Sequence, residues 1–249
     1  MPIALLSDVH GNLPALQAVL DELEGIQHDR IVVTGDLAAG PFPRETLDLL
    51  VSLGERARFV RGNADREMIE PPADGMSPMA AWAAERLTEE QRDFLAVLPE
   101  SLVLEVDGLG PTLFCHGSPR TDEEILTAET PEARLRDAVS GVAEGAVTCG
   151  HTHMQFDRTV GGVRVVNPGS VGLPYEGRPG AYWAVLGPEV EFRRTEYDVD
   201  RTASLVRAAG YPEAEEFVAE YILASTPRAE AIEFFEQLAL DNPRFAGGR

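Results

Sequence analysis

The sequence predicts an α/β (α+β) protein in which two sheets pack face to face with helices on their outer sides. Three observations carry this prediction. Strand and helix patterns alternate through the first half, and closely spaced strands take over after His153. In addition, each polar motif within the first 153 residues begins where an apolar strand pattern stops. α/β sites are built this way, with ligands collecting in loops beyond the carboxyl ends of strands.

Residues 3–7 form a short apolar run that suits a buried strand. Leu13, Leu16, Val19, Leu20 and Leu23 then recur at helical spacing, with Pro14 in the first turn, where its missing N–H does no harm. A second strand is expected over 30–34, a second helix over 45–53 and a third strand over 58–60. Residues 66–99 interrupt this order with a mostly helical insert containing Trp82, Leu87, Phe94, Leu95 and Leu98, entered at Pro71-Pro72 and closed at Pro99. Strands resume over 102–106 and 112–115, followed by a helix near 131–139 and a strand over 146–149. Four further strands, over 155–160, 163–166, 182–186 and 190–195, read as antiparallel and are joined by turns such as Gly161-Gly162.

Residues 1–198 thus read as one domain and 199–249 as a helical appendage. In the appendage Phe217, Val218, Tyr221 and Ile222 share one face, and Ile232, Phe235 and Leu238 share another. Amphipathic helices of this kind pack on a body, close over a site or join two copies of a chain. A homo-oligomer formed through them is one expectation.

Composition narrows the function. The formal net charge is −21, and all 21 basic residues are arginine. So acidic a chain, without an obvious basic tract, repels DNA and RNA, which disfavours a nucleic-acid polymer as partner. The absence of lysine excludes a Walker A lysine, a Schiff base and a lysine general base. No run approaches the roughly 18–20 apolar residues of a membrane span. The first eight residues lack the basic start of a signal peptide, and Cys115 and Cys149 suit a reducing compartment, so a cytoplasmic location away from membranes is expected.

Histidine is scarce and selectively placed. Four of the five histidines fall in an ordered series of motifs, Asp8-Val9-His10, Gly35-Asp36, Gly62-Asn63-Ala64-Asp65, Cys115-His116-Gly117 and Gly150-His151-Thr152-His153, and only His28 lies outside. Imidazole nitrogens combined with carboxylate and carboxamide oxygens suit Mn, Fe, Zn or Ni rather than a cysteine-rich structural zinc site. Asp8, His10, Asp36, Asn63, His116, His151 and His153 are too many ligands for one tetrahedral ion, but enough for two divalent metal ions if Asp36 bridges them. A two-metal hydrolase follows, with Asp36, His10, Asn63 and His116 as its catalytic core.

Singly, each motif is common; together and in order they are specific. The chain resembles the calcineurin-like metallophosphoesterase superfamily over residues 1 to about 197, and within it a bacterial branch of small phosphodiesterase-like proteins. The loop Asn167-Pro168-Gly169-Ser170-Val171-Gly172 adds to the likeness. The resemblance implies a four-layer αββα sandwich of two mixed sheets. It assigns Asp8, His10 and His153 to one metal, Asn63, His116 and His151 to the other, and Asp36 to both. It also implies in-line attack on a small phosphoester by a hydroxide held between the ions. Many phosphomonoesterases of this superfamily carry a histidine directly after the motif asparagine, where this chain has Ala64. General acid help is typically worth about 10²–10⁴-fold, so Ala64 favours phosphodiesters with acidic leaving groups over monoesters. A phosphomonoesterase, and a non-catalytic scaffold of the same fold, are the alternatives.

Around this core, Asn12, Asn167, Gly169 and Ser170 are candidate substrate contacts, although a helix cap at Asn12 and a plain turn at 167–170 suit the same residues. Arg61, Arg120 and Arg178 are candidate phosphate clamps by loop position. Asp65 either orients a group near the site or caps its own turn.

Overall fold

The computed structural model describes residues 1–73 and 75–247. Strands β1 (Ile3–Leu6), β2 (Arg30–Val33) and β3 (Ala57–Phe59) are parallel and are joined through helices α1 (Leu13–Leu23) and α2 (Pro43–Ser52). Helices α3 (Asn63–Ile69), α4 (Pro78–Ala84) and α5 (Glu89–Ala96) form the insert. Strands β4 (Ser101–Val106), β5 (Gly110–Cys115) and β6 (Ala146–Thr148), with α6 (Glu132–Ala138) between the last two, lead to β7 (Gln155–Val160), β8 (Val163–Pro168), β9 (Ala181–Leu186) and β10 (Val190–Thr195). Helices α7 (Val199–Ala208), α8 (Ala214–Phe217) and α9 (Arg228–Asp241) follow, and a short 3₁₀ turn over Pro243–Ala246 comes last.

Among the described residues there are two mixed five-stranded sheets, ordered β10-β9-β1-β2-β3 and β4-β5-β6-β8-β7. They do not divide between the halves of the chain. β9 and β10 return to the first sheet, with Ile3 opposite both Arg30 and Leu186. The strands after His153 are not purely antiparallel either, because β8 lies parallel to β6.

Side-chain alternation explains the layers. Successive residues of a strand point to opposite faces, so a strand covered on both sides reads as a continuous apolar run. Ile3, Leu5 and Val32 of the first sheet meet Phe114 and Val166 of the second in a central core. Ala4, Leu6, Ile31 and Val33 face the other way, onto Leu16 and Val19 of α1 and Leu47 and Leu50 of α2. Behind the second sheet, Cys115, Val147, Cys149 and Val165 pack on Leu135 and Ala138 of α6. The result is an αββα sandwich of four layers, with both cysteines buried and free.

The insert joins the first outer layer through Ala80, Ala83 and Leu95. The C-terminal helices cover the loops at one edge. Val206, Tyr211, Phe217 and Ile222 pack on Leu173, with Phe42, Met79 and Trp82 beside them, and Ala231 and Ile232 of α9 pack on Met154. Among the described residues no helix is long and apolar enough to cross a membrane.

Candidate metal centre

The chain leaves β1, β2, β3, β5 and β6 at the same edge of the sandwich, and the motif residues follow within four residues of those strand ends, or a fifth for His153. Asp8, His10, Asp36 and His153 bring one ligand atom each within 4.8 Å of one another, and Asp36, His116 and His151 do the same. Asp36 belongs to both groups. One of its oxygens, Oδ2, lies 3.5 Å from His10 Nε2 and 3.4 Å from His116 Nε2. The other, Oδ1, accepts from the Ala64 backbone N–H at 2.8 Å. Asn63, the first residue of α3, directs Oδ1 to His116 Nε2 at 3.0 Å.

Hydrogen bonds set the histidine tautomers. Nδ1 of His10, His116 and His153 donates to the carbonyls of Ala39, Thr34 and Leu173 at 3.1, 2.7 and 2.7 Å. A carbonyl only accepts, so each outer nitrogen carries the proton and each Nε2 faces inward. Nε2 of His10 and of His153 then approach to 3.1 Å, with Asp8 Oδ1 3.2 Å from the latter. Around His10, His153 and Asp8, buried lone pairs and a carboxylate thus converge into a cage for a cation, and the mixed N/O set fits a divalent metal.

The backbone is also unusual here. Asp8, His10, Asp36, His151 and His153 all adopt left-handed conformations, with φ of 54°, 47°, 53°, 67° and 59°. Side chains rarely occupy this region, and strained positions concentrate at functional sites.

Burial alone would drive the His116 imidazolium toward neutrality, but the charge and hydrogen bond of Asp36, with Asp8 behind it, raise its pKa to about 10. Burial likewise opposes ionisation of Asp36, yet His116 and His10 hold its carboxyl below the usual range. At pH 7 the metal-free site therefore keeps a proton on His116 that a metal must displace. Apparent Mn²⁺ affinity is expected to rise about tenfold per pH unit between pH 7 and 9, measurable by chelator competition. The same raised pKa stabilises the metal-free fold below the unfolded value near 6.5, and this contribution disappears as pH climbs through about 10.

The residues expected around this core are tied into the loops and helix caps that surround it. Asn12 caps α1 by accepting from Ala15 N–H at 3.3 Å, and its Nδ2 donates to Gly172 O at 3.0 Å and Tyr197 Oη at 3.3 Å. Asn167 Nδ2 donates to Gly150 O at 2.7 Å, and Ser170 Oγ donates to Asp8 O at 2.7 Å. Gly169 has φ +82°, and a Cβ there would lie 2.9 Å from Gln155 and Tyr182 side-chain carbons. All of these polar side chains are buried and bonded to loop backbone, and so they frame the ligand loops. Asn12→Ala is accordingly expected to lower unfolding stability by about 2 kcal/mol, read from the urea midpoint. A substrate contact would instead raise KM and leave that midpoint unchanged.

The three arginines are turned to carboxylates: Arg61 to Glu100, Arg178 to Glu196, and Arg120 to Glu124 and Asp137. Asp65 caps its turn, accepting from Gly62 and Leu37 N–H groups at 2.9 Å each. Burial, and then the Asp36 charge, raise its carboxyl pKa to about 7. Two features escape the motif search. Arg66 stands three residues past Asn63 on the same side of α3 and beside His116, a helical offset that could have flagged it. Tyr175 stacks on His153 at 5.1 Å and 14°, backed by Tyr221 and Phe235 of the C-terminal helices. The amphipathic faces carrying Tyr221 and Phe235 are visible in the sequence, but their meeting with Tyr175 and His153 is not, because these partners lie far along the chain.

A four-layer sandwich with a buried Asp/His cluster at its strand ends defines a metal-binding α/β protein. The family model of the calcineurin-like phosphoesterase superfamily domain matches residues 1–187, and the chain belongs to that family. Phosphodiesterase YfcE of Escherichia coli is 27% identical over 194 residues, covering 73% of this chain and 85% of YfcE. An uncharacterized protein of Methanocaldococcus jannaschii is 27% identical over 236 residues, covering 85% of this chain and 94% of its own. The crystal structure of a metallophosphoesterase from Sphaerobacter thermophilus is 29% identical, with a TM-score of 0.70 over 88% of this chain and 99% of that one. The protein is a metal-dependent phosphoester hydrolase.

Proposed function

We propose that this hydrolase is a phosphodiesterase that uses two divalent ions, the first held by Asp8, His10 and His153, the second by Asn63, His116 and His151, with Asp36 shared. The observation that carries the reading is the position of Asp36 Oδ2, within 3.5 Å of one Nε2 in each donor group. Bound metals there supply positive charge that acidifies water and offsets charge on the phosphoryl oxygens. The chain itself supplies orientation. The carbonyls of Ala39, Thr34 and Leu173 lock three imidazoles, and Ala64 N–H fixes the Asp36 carboxylate, so the donors need no rearrangement. Manganese, iron, zinc and nickel all suit this set.

A preference for diesters is supported by the named activity of YfcE and by Ala64, which leaves no imidazole beside Asn63 to protonate a poor leaving group. The test compares bis-p-nitrophenyl phosphate with p-nitrophenyl phosphate on metal-stripped protein reconstituted with Mn²⁺. Faster, metal-dependent diester cleavage is the expected result. Faster monoester cleavage would assign the chain to the phosphomonoesterases. Absence of turnover with both, despite bound metal, would leave a scaffold.

A further inference from the structure

A cleft of about 220 Å³ opens beside His116, lined also by Arg66, Ser101, Pro119, Thr121 and Asp122. Of the donor residues only His116 borders it, and its imidazole is fully buried behind that wall with Nε2 turned to Asp36. Its cations are already paired. Arg66 donates from Nε and Nη2 to Asp122 at 2.7 and 3.2 Å, and from Nη2 to Glu123 at 2.8 Å. Arg120, at the rim, donates to Glu124 at 3.0 Å and also to Asp137. A second phosphate would therefore meet the carboxylates of Glu100 and Asp122 with no surplus positive charge to receive it. Among the described lining residues there is no Phe, Tyr or Trp, so a planar base has nothing to stack on.

What the lining offers is hydrogen bonding at fixed points: hydroxyls of Ser101 and Thr121, the Asp122 carboxylate and the guanidinium locked to it. Each hydroxyl of a diol both donates and accepts, which matches alternating acceptors and donors. The volume holds roughly seven waters at about 30 Å³ each, the room of a small polyol. The wall is held from two sides. Arg66 ties it to α3, while the last turn of the chain ties it down through Arg244 to Glu123 and through Ile125 N–H to Phe245 O at 2.9 Å. Such anchoring keeps the subsite preorganised.

We propose that this cleft seats an ester substituent of the substrate and that it takes an uncharged, polyhydroxylated alcohol of glycerol or pentose size. The inference rests on the phosphoesterase reading and adds the substrate class. Calorimetry on the Mn²⁺-reconstituted full chain tests it with n-propyl phosphate, glycerol 3-phosphate, phenyl phosphate and 1,3-propanediol bisphosphate. Glycerol 3-phosphate is expected to bind about tenfold more tightly than propyl phosphate, since two hydroxyls gain charged partners. Phenyl phosphate and the bisphosphate should gain nothing over propyl phosphate. Asp122→Asn should cut the glycerol advantage to below about threefold while propyl phosphate binds as before. Ser101→Ala, at an exposed strand end, should reduce it in the same direction without touching the ion pairs. Equal affinity for propyl and glycerol phosphates, or a preference for the phenyl or bisphosphate compound, would overturn the inference and leave the phosphoesterase reading standing. Binding of none of the four would likewise overturn the inference, while cleavage of bis-p-nitrophenyl phosphate by the same sample reports separately on the phosphodiesterase reading.

Discussion

Asp36→Asn is expected to reduce turnover of bis-p-nitrophenyl phosphate by about 10³-fold or more, because several kcal/mol of metal binding and charge stabilisation are lost and each 1.4 kcal/mol is a factor of ten. The substitution is nearly isosteric. Its remaining carbonyl oxygen can still accept from Ala64 N–H, so the turn between the two loops keeps its bond. What changes is the oxygen that faces His10 and His116, which becomes a donor NH₂ or loses its charge. Both donor groups are weakened by one substitution. Metal content per chain should fall while the far-UV circular dichroism and the melting curve show an intact fold. Full turnover in this variant would remove Asp36 from the chemistry.

Gly62→Ala is expected to empty the site without altering a single donor. A Cβ at this position would lie 2.2 Å from Asp36 Oδ1 and 2.4 Å from Asp36 N, well inside contact distance. One of those atoms is backbone, so the clash cannot be relieved by a rotamer change alone. Overpacking of this kind costs about 1–3 kcal/mol, and more where backbone must move. The predicted loss is about 3 kcal/mol of unfolding stability, together with loss of bound metal, since the methyl displaces the carboxylate shared by both groups. Gly54→Ala is the control: its φ is positive, at 55°, where Gly62 has φ −92°, and no atom lies within 4 Å of its added methyl. Its cost should stay near 1 kcal/mol, from backbone conformation only. Equal unfolding midpoints for the two variants would show that the close approach at Gly62 is immaterial.

The two glycines also mark where sequence reading reaches and where it stops. Local features were legible. The run over 3–7 is apolar because Ile3 and Leu5 face one layer while Ala4 and Leu6 face another, and the helical spacing from Leu13 to Leu23 corresponds to α1 residue for residue. The donor residues were legible because scarce histidines fall just past strand ends. Partnerships across the chain were not. Nothing in the alternation of β9 reveals that it pairs with β1, since period two is the same in either sheet. Asn12, Asn167 and Ser170 read equally well as frame or as substrate contacts, and their bonds to Gly172, Gly150 and Asp8 join segments that no local pattern connects. The cleft wall depends on Asp122 and Glu123 meeting Arg66 and Arg244, which are far apart in sequence and carry no motif.

The left-handed turns at Asp8, His10, Asp36, His151 and His153 bear on how such a protein changes over generations. On backbone grounds glycine is preferred at each of them, by about 1 kcal/mol or more. Drift toward a sturdier chain therefore runs against the very residues of the candidate metal centre, and only continued selection for chemistry retains them. In a descendant that abandons hydrolysis, these five positions should be the first to erode, with the sandwich beneath them unchanged.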